Sequence, residues 1–78
     1  MPKITVEGFD LIVNTRDERG HRPHVHVLKA GGKVQVFLDA TLQPYKLNRM
    51  SKRDVARARE LVGEFFDVLL GWWEKYNG

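Results

Sequence analysis

The chain contains no cysteine, which excludes both disulfide bonds and zinc sites built on thiolates. It also has no apolar run of the roughly 20 residues that a membrane-spanning helix requires. Its first residues, MPKITV, lack the apolar core of a signal peptide and alternate as a strand does. No glycine-rich phosphate-binding loop is present. We therefore expect a cytoplasmic protein that uses no cofactor and does not cross a membrane.

Its 78 residues suffice for one small domain, which we place over residues 1–78. A domain of this size buries only about 60–65% of the surface that its unfolded chain exposes. Small domains without covalent or metal staples often gain stability by oligomerising. The formal net charge of +3 is mild, and its distribution is more informative than its size.

Alternation of apolar and polar residues predicts four strands, over residues 3–6, 9–14, 24–29 and 33–38. Glu7-Gly8 and Ala30-Gly31-Gly32 suit tight hairpin turns, whereas residues 15–23 form a charged loop. Between residues 39 and 50 the alternation is lost. The pattern indicates an α+β fold with a four-stranded, mainly antiparallel meander sheet and one long C-terminal helix packed on one face.

The helix is predicted over residues 51–76. Ser51 and Asp54 have the spacing of a capping box, and Met50 and Val55 have that of a hydrophobic staple around the same cap. The apolar stripe that follows is broader than a helix lying on one sheet needs. A helix of this length would measure about 37 Å, against about 19 Å for the width of a four-stranded sheet.

Part of such a helix would overhang the sheet and expose its tryptophan pair. We therefore predict a partner interface at its aromatic end, formed by Leu69, Trp72, Trp73 and Tyr76. The alternative is that the helix breaks near Gly63 or Gly71 and folds back on itself, since each glycine costs about 1 kcal/mol relative to alanine in a helix.

Two histidines occupy alternate positions of one predicted strand. Val25 and Val27 would face the core, which leaves His24 and His26 together on the opposite face, away from the helix. Phe37 shares that face by alternation and could stack unpaired bases or contact a protein.

Three interpretations of the histidines stay open. They could be structural and hydrogen-bonded across the sheet. They could chelate a metal with a third ligand from His21, Asp10 or Asp39, although a His-x-His pair alone is a weak metal signal. In a metal-free ribonuclease His24 and His26 would transfer protons, and Arg22 would stabilise the phosphorane.

A second group of residues is basic and lies around the start of the helix. Cations there oppose the helix dipole, so a sequence selected for stability alone would place acids first. The arrangement favours an anionic partner, either nucleic acid or an acidic protein surface. The alternative is ordinary solvated charge, with Arg57 paired to Glu60 and Glu64. The candidate binding residues are Lys46, Arg49, Lys52, Arg53, Arg57 and the aromatic Phe37. Arg59 continues the basic run.

With these motifs the chain resembles the small prokaryotic family called domain of unknown function 4160. The most specific part is a strand entered through proline, Arg22-Pro23-His24-Val25-His26-Val27. Gly8-Phe9, the polar segment Asp17-Glu18-Arg19-Gly20, Leu38-Asp39 and the closing aromatic helix extend the resemblance over the whole chain. Many relatives have a second proline where this chain has Arg22. The resemblance implies a toxin–antitoxin-like component encoded beside another small protein.

Two function classes follow. The first is a non-catalytic binding module that contacts a homodimer mate or a small co-encoded protein, and that could also bind RNA or DNA through residues 46–59. The second is a histidine-dependent ribonuclease that is itself the toxin. The binding module is favoured because no nucleophile or metal triad can be identified in the sequence.

Overall fold

The computed structural model describes residues 2–14 and 22–77. Within these ranges the order is β1 (Lys3–Val6), β2 (Phe9–Ile12), β3 (His24–Lys29), β4 (Gly32–Phe37), β5 (Pro44–Asn48), α1 (Lys52–Glu64) and α2 (Phe66–Asn77). The five strands form one sheet in the order β1-β2-β3-β4-β5, and every neighbouring pair is antiparallel. The α+β class and the antiparallel meander are confirmed.

Two tight turns set the register of two strand pairs, β1 with β2 and β3 with β4. Glu7 and Gly8 join β1 to β2 with φ values of 53° and 80°, and Ala30 and Gly31 join β3 to β4 with 48° and 83°. Consecutive positive φ values produce a turn that matches the right-handed twist of the paired strands. The second strand is shorter than predicted and ends at Ile12, while β4 begins one residue earlier than predicted.

The prediction of four strands is wrong, because β5 adds a fifth strand beside β4. Pro44 opens this edge strand, a position where the missing N–H costs no ladder bond. Lys46 has a φ of 53°, and the pairing with β4 shifts register between Lys33 and Gln35. This irregularity interrupts the alternation of period two, which explains why the sequence pattern misses the strand.

One face of the sheet carries the hydrophobic core. Leu11, Val27 and Val34 lie side by side across β2, β3 and β4 and are fully buried. Helix α1 covers them with its buried residues Ala58, Leu61 and Val62. Its start agrees with the prediction, because the backbone N–H of Asp54 donates to the Ser51 hydroxyl at 3.1 Å.

The prediction of one long helix is also wrong, and the alternative of a break near Gly63 is confirmed. Phe65 separates α1 from α2 with φ −104° and ψ 19°, and its N–H closes the last turn on Leu61 at 3.1 Å. The longest dimension of the structure is 31 Å, less than the ~37 Å of a straight 25-residue helix. Neither helix within residues 2–14 and 22–77 is long and apolar enough to cross a membrane.

The bend changes what the end of the chain exposes. Leu69 is fully buried in the core, and Trp73 is 6% exposed. Trp72 is half-buried, and only Tyr76 keeps substantial exposure, at 44%. The prediction of an exposed tryptophan pair that overhangs the sheet is therefore wrong, because the bend lets α2 pack its apolar residues into this chain's own core.

Candidate functional site

The second face of the sheet brings the predicted histidines together. His26 lies beside Ile12 of β2, and His24 lies beside Phe37 of β4, whereas Val25 and Val27 are fully buried in the core. The rings of His24 and His26 are 5.1 Å apart. The prediction that both histidines face away from the helix predicted over residues 51–76 is wrong for His24, because Trp73 lies within that range and its ring packs against His24.

Helix α2 reaches the first of these histidines. The ring of Trp73 lies 4.9 Å from that of His24, and Tyr45 of β5 lies 6.1 Å from it. His24 is consequently only 5% exposed. Its Nδ1 lies 2.8 Å from the carbonyl oxygen of Arg22. Because a carbonyl only accepts hydrogen bonds, Nδ1 carries the proton in this contact, which fixes the ring orientation.

Arg22 is placed beside this cluster by two interactions. Its guanidinium forms an ion pair with Asp39 and lies 3.8 Å from the centre of the Phe37 ring. The hydroxyl of Thr41 and then Arg22 lower the pKa of Asp39 to about 2, since both donate hydrogen bonds to its carboxylate. Phe37 in turn stacks on Tyr45, with ring centres 4.2 Å apart and planes 9° apart.

This arrangement bears on the catalytic and metal interpretations. A general acid or base must reach its substrate, and the His24 ring is enclosed by protein. Arg22 is already engaged by Asp39 and Phe37. Across residues 2–14 and 22–77, no three His, Asp or Glu side chains form a group that could hold a metal ion. The remaining predicted ligand, His21, lies outside the described residues.

The predicted basic residues divide into two groups. Arg57 is held by Glu7 of the β1–β2 turn, with Nε donating to Oε1 at 3.0 Å and a second bond from Nη2, and by Glu60 and Glu64 of its own helix. The pKa of Arg57 is raised, chiefly by the hydrogen bond to Glu7. Arg59 donates to the carbonyl oxygens of Leu42 and Thr41 at 2.8 and 3.1 Å.

The remaining four cations are exposed on β5, on the residue that follows it and in the first turn of α1, where Arg53 borders a cavity that Glu7, Asp54 and Glu60 also line. No carboxylate of residues 2–14 or 22–77 lies within ion-pairing distance of them. Asp54, which follows Arg53 directly, is paired with Lys29 at 3.4 Å. We call these four residues the basic surface: Lys46, Arg49, Lys52 and Arg53. Phe37 is not part of this surface, because it lies in the cluster around His24.

Sequence reasoning missed an apolar groove next to the basic surface. It lies between β5 and α1, has a volume of about 210 Å³, and is lined by Pro44, Leu47, Lys52, Val55, Ala56 and Arg59. Tyr45 was missed as well, although it completes the cluster around His24. The only sequence signal was the run Pro44-Tyr45-Lys46-Leu47, whose aromatic and aliphatic residues stand in a stretch without clear periodicity.

The chain matches no protein-family model, no curated protein and no solved structure. The resemblance to domain of unknown function 4160 therefore stays a prediction that rests on the motifs around residues 22–27.

Proposed function

We propose that this chain is a non-catalytic binding module whose basic surface docks an acidic protein partner. The observation that carries the proposal is the group of four exposed cations without carboxylate partners among the described residues. Such a patch attracts an anionic surface and speeds association through long-range electrostatic steering. The family resemblance adds the proposal that the partner is a small co-encoded protein, as in a toxin–antitoxin pair.

The backbone of the basic surface supports a role beyond folding. Lys46 and Arg49 both adopt left-handed conformations, with φ values of 53° and 54°. Residues with long side chains rarely occupy this region, where glycine or asparagine fits at less cost. Glycine or asparagine would lower the backbone cost at both positions, although Glu7, Ala30 and Leu42 occupy the same region. The side-chain charges of Lys46 and Arg49 offer a reason for keeping cations there.

A protein partner is favoured over nucleic acid by the surroundings of the cations. Single-stranded nucleic acid is usually held by basic residues interleaved with aromatic rings on which bases stack. Phe37, the aromatic residue predicted for that role, is already in contact with Tyr45 and Arg22. The basic surface instead borders an apolar groove, and such grooves commonly receive side chains of protein partners.

The second hypothesis, a ribonuclease that uses His24 and His26, has less support. His24 is enclosed by Trp73 and Tyr45, and the Arg22 guanidinium is paired with Asp39. Growth arrest on expression that is abolished by His24→Ala, in a variant shown to remain folded, would revive this hypothesis.

Two double variants with equal loss of charge test the proposal. Lys46→Asn/Arg49→Gly removes two cations from the basic surface, whereas Lys3→Gln/Lys75→Gln removes two exposed cations elsewhere. Both are used to capture partners from a cell extract of the native host, with and without nuclease. We expect an acidic protein that resists nuclease and is retained by the second variant but lost from the first. Equal capture by both variants, or capture only of nucleic acid, would contradict the proposal.

A further inference from the structure

The groove between β5 and α1 is lined by one large apolar side chain that is strongly exposed. Leu47 is 54% exposed, the highest value among the large hydrophobic residues that the structure describes. It belongs to the edge strand of the sheet, where charged or polar residues normally protect against unwanted pairing. Pro44, Val55 and Ala56 provide apolar surface around it. An exposed leucine alone would be unremarkable, but here it lies in a formed concavity.

The α1 wall of the groove carries positive charge at two positions, seven residues apart along the helix. Lys52 and Arg59 line it directly, and no acidic residue does. Arg59 is fixed in place, because its guanidinium donates to the Leu42 and Thr41 carbonyl oxygens at 2.8 and 3.1 Å. These carbonyl bonds orient the cation without cancelling its charge. A carboxylate that reaches Arg59 would therefore meet a pre-positioned donor, which lowers the entropy cost of binding.

The dimensions of the groove restrict its occupant. Its volume of about 210 Å³ is below the roughly 300–1,000 Å³ of typical small-molecule sites, so one side chain suits it better than a cofactor. A second copy of this chain suits it poorly for two reasons. Two copies with a net charge of +3 repel each other, and one exposed leucine supplies little of the about 1,200 Å² that a stable interface buries.

We propose that the groove receives a single bulky aliphatic or aromatic side chain from an acidic segment of the partner protein. Carboxylates beside this anchor side chain pair with Lys52 and with Arg59 along the α1 wall of the groove. This inference rests on the proposed function and deepens it, since it assigns the apolar determinant of a surface otherwise defined by charge. Burial of the anchor against Leu47 and Val55 supplies specificity, and the basic surface supplies attraction.

A displayed library of random peptides of about 12 residues, selected on the immobilised full chain, tests the inference. We expect the enriched sequences to share one bulky apolar residue with aspartate or glutamate within three positions of it. A selected peptide is then measured by fluorescence anisotropy against the wild type, Leu47→Ala and Leu28→Ala. Leu28 is a matched control, being an exposed leucine on β3 that does not line the groove.

We expect Leu47→Ala to weaken binding of the selected peptide at least tenfold, and Leu28→Ala to leave it unchanged within about twofold. Replacing the peptide's anchor by alanine should cost as much as Leu47→Ala, and combining both changes should cost little more. Thermal unfolding of each variant establishes that it is folded.

Acidic peptides that bind Leu47→Ala as tightly as the wild type would overturn the groove assignment while leaving the basic surface intact. Failure to enrich any acidic peptide would overturn both, and tighter binding of a single-stranded oligonucleotide of equal length would replace the proposed partner class.

Discussion

Arg57 and Glu7 form a paired contact that joins helix α1 to the turn between β1 and β2, although they are 50 residues apart in sequence. Nε of Arg57 donates to one carboxylate oxygen of Glu7 at 3.0 Å, and Nη2 donates to the other. Both groups are held in geometry that suits a planar guanidinium and a planar carboxylate. A cation that the sequence assigned to ligand binding is thus used to attach the helix to the sheet.

Replacing Arg57 and replacing Arg53 should have opposite consequences. Arg57→Ala should lower the melting temperature and leave partner binding nearly unchanged, because its charge is satisfied by Glu7. Arg53→Ala should leave the melting temperature nearly unchanged and weaken binding, because Arg53 belongs to the basic surface. Differential scanning calorimetry and a binding assay on both variants check this reversal. Equal losses of binding in Arg57→Ala and Arg53→Ala would show that Arg57 is part of the binding surface.

The Arg57 contact should also depend on pH. The hydrogen bond from Arg57 lowers the pKa of Glu7 below its ordinary value of 4.5. A carboxylate with a depressed folded-state pKa stabilises the fold above the unfolded-state pKa, and this contribution is lost as pH falls through the folded-state pKa. The difference in melting temperature between wild type and Arg57→Ala should therefore be constant near neutral pH and shrink below about pH 4.5. A difference that stays constant into acid would contradict the assignment to this pair.

His24 and Trp73 should behave as structural residues. Trp73→Ala removes a ring that is 6% exposed and should cost about 3–5 kcal/mol of unfolding free energy. His24→Gln disturbs the donor to the Arg22 carbonyl and should cost about 1–3 kcal/mol. His26→Gln, at a half-buried position, should cost less. Urea unfolding of the three variants measures these losses. Unchanged stability of His24→Gln would restore the case for a functional histidine.

Much of the fold follows from local patterns, and the exceptions have physical causes. The first four strands, their turns and the Ser51 cap depend on neighbours within a few residues, so alternation and capping motifs predict them. Strand β5 escapes prediction because Lys46 leaves the extended conformation in its middle.

The site was less predictable because it depends on contacts between distant segments. The sequence places His24 and His26 on one face correctly, but the burial of His24 depends on the direction that α2 takes after Phe65. The helical periodicity of the sequence continues through that bend, so the pattern does not reveal the change in direction. Arg57 is paired, unlike the four exposed cations, because Glu7 lies beside it in the fold. Glu7 is 50 residues away in sequence, and no local pattern reveals the contact.

Two glycines should respond oppositely to alanine. A Cβ atom at Gly32 would lie 2.2 Å from the carbonyl oxygen of Arg49, so Gly32→Ala must push the end of β5 and the residue after it away from β4, and should cost about 1–3 kcal/mol or more. A Cβ atom at Gly71 has no neighbour within 4 Å, so Gly71→Ala should stabilise α2 by about 0.5–1 kcal/mol. Chemical denaturation measures both. A stable Gly32→Ala protein would show that the two strands are not held this close.

The Lys46→Asn/Arg49→Gly variant separates folding from binding. Both changes introduce residues that tolerate left-handed backbone, so the free energy of unfolding should stay within about 1 kcal/mol of the wild type or rise. Partner affinity should fall, and its dependence on salt should weaken, because two cations are removed from the basic surface. Thermal unfolding and affinity measured at two salt concentrations provide the test. A large loss of stability would show that these side chains serve the fold.

Site-directed photo-crosslinking in cells tests the central claim most directly. A photoreactive amino acid replaces Asn48, an exposed neutral residue between Lys46 and Arg49, or Tyr76 at the aromatic end of α2. We predict a discrete adduct with an acidic protein from position 48, which disappears in the Lys46→Asn/Arg49→Gly background, and no such adduct from position 76. An adduct from position 76 alone, or a nucleic-acid adduct from position 48, would contradict the account.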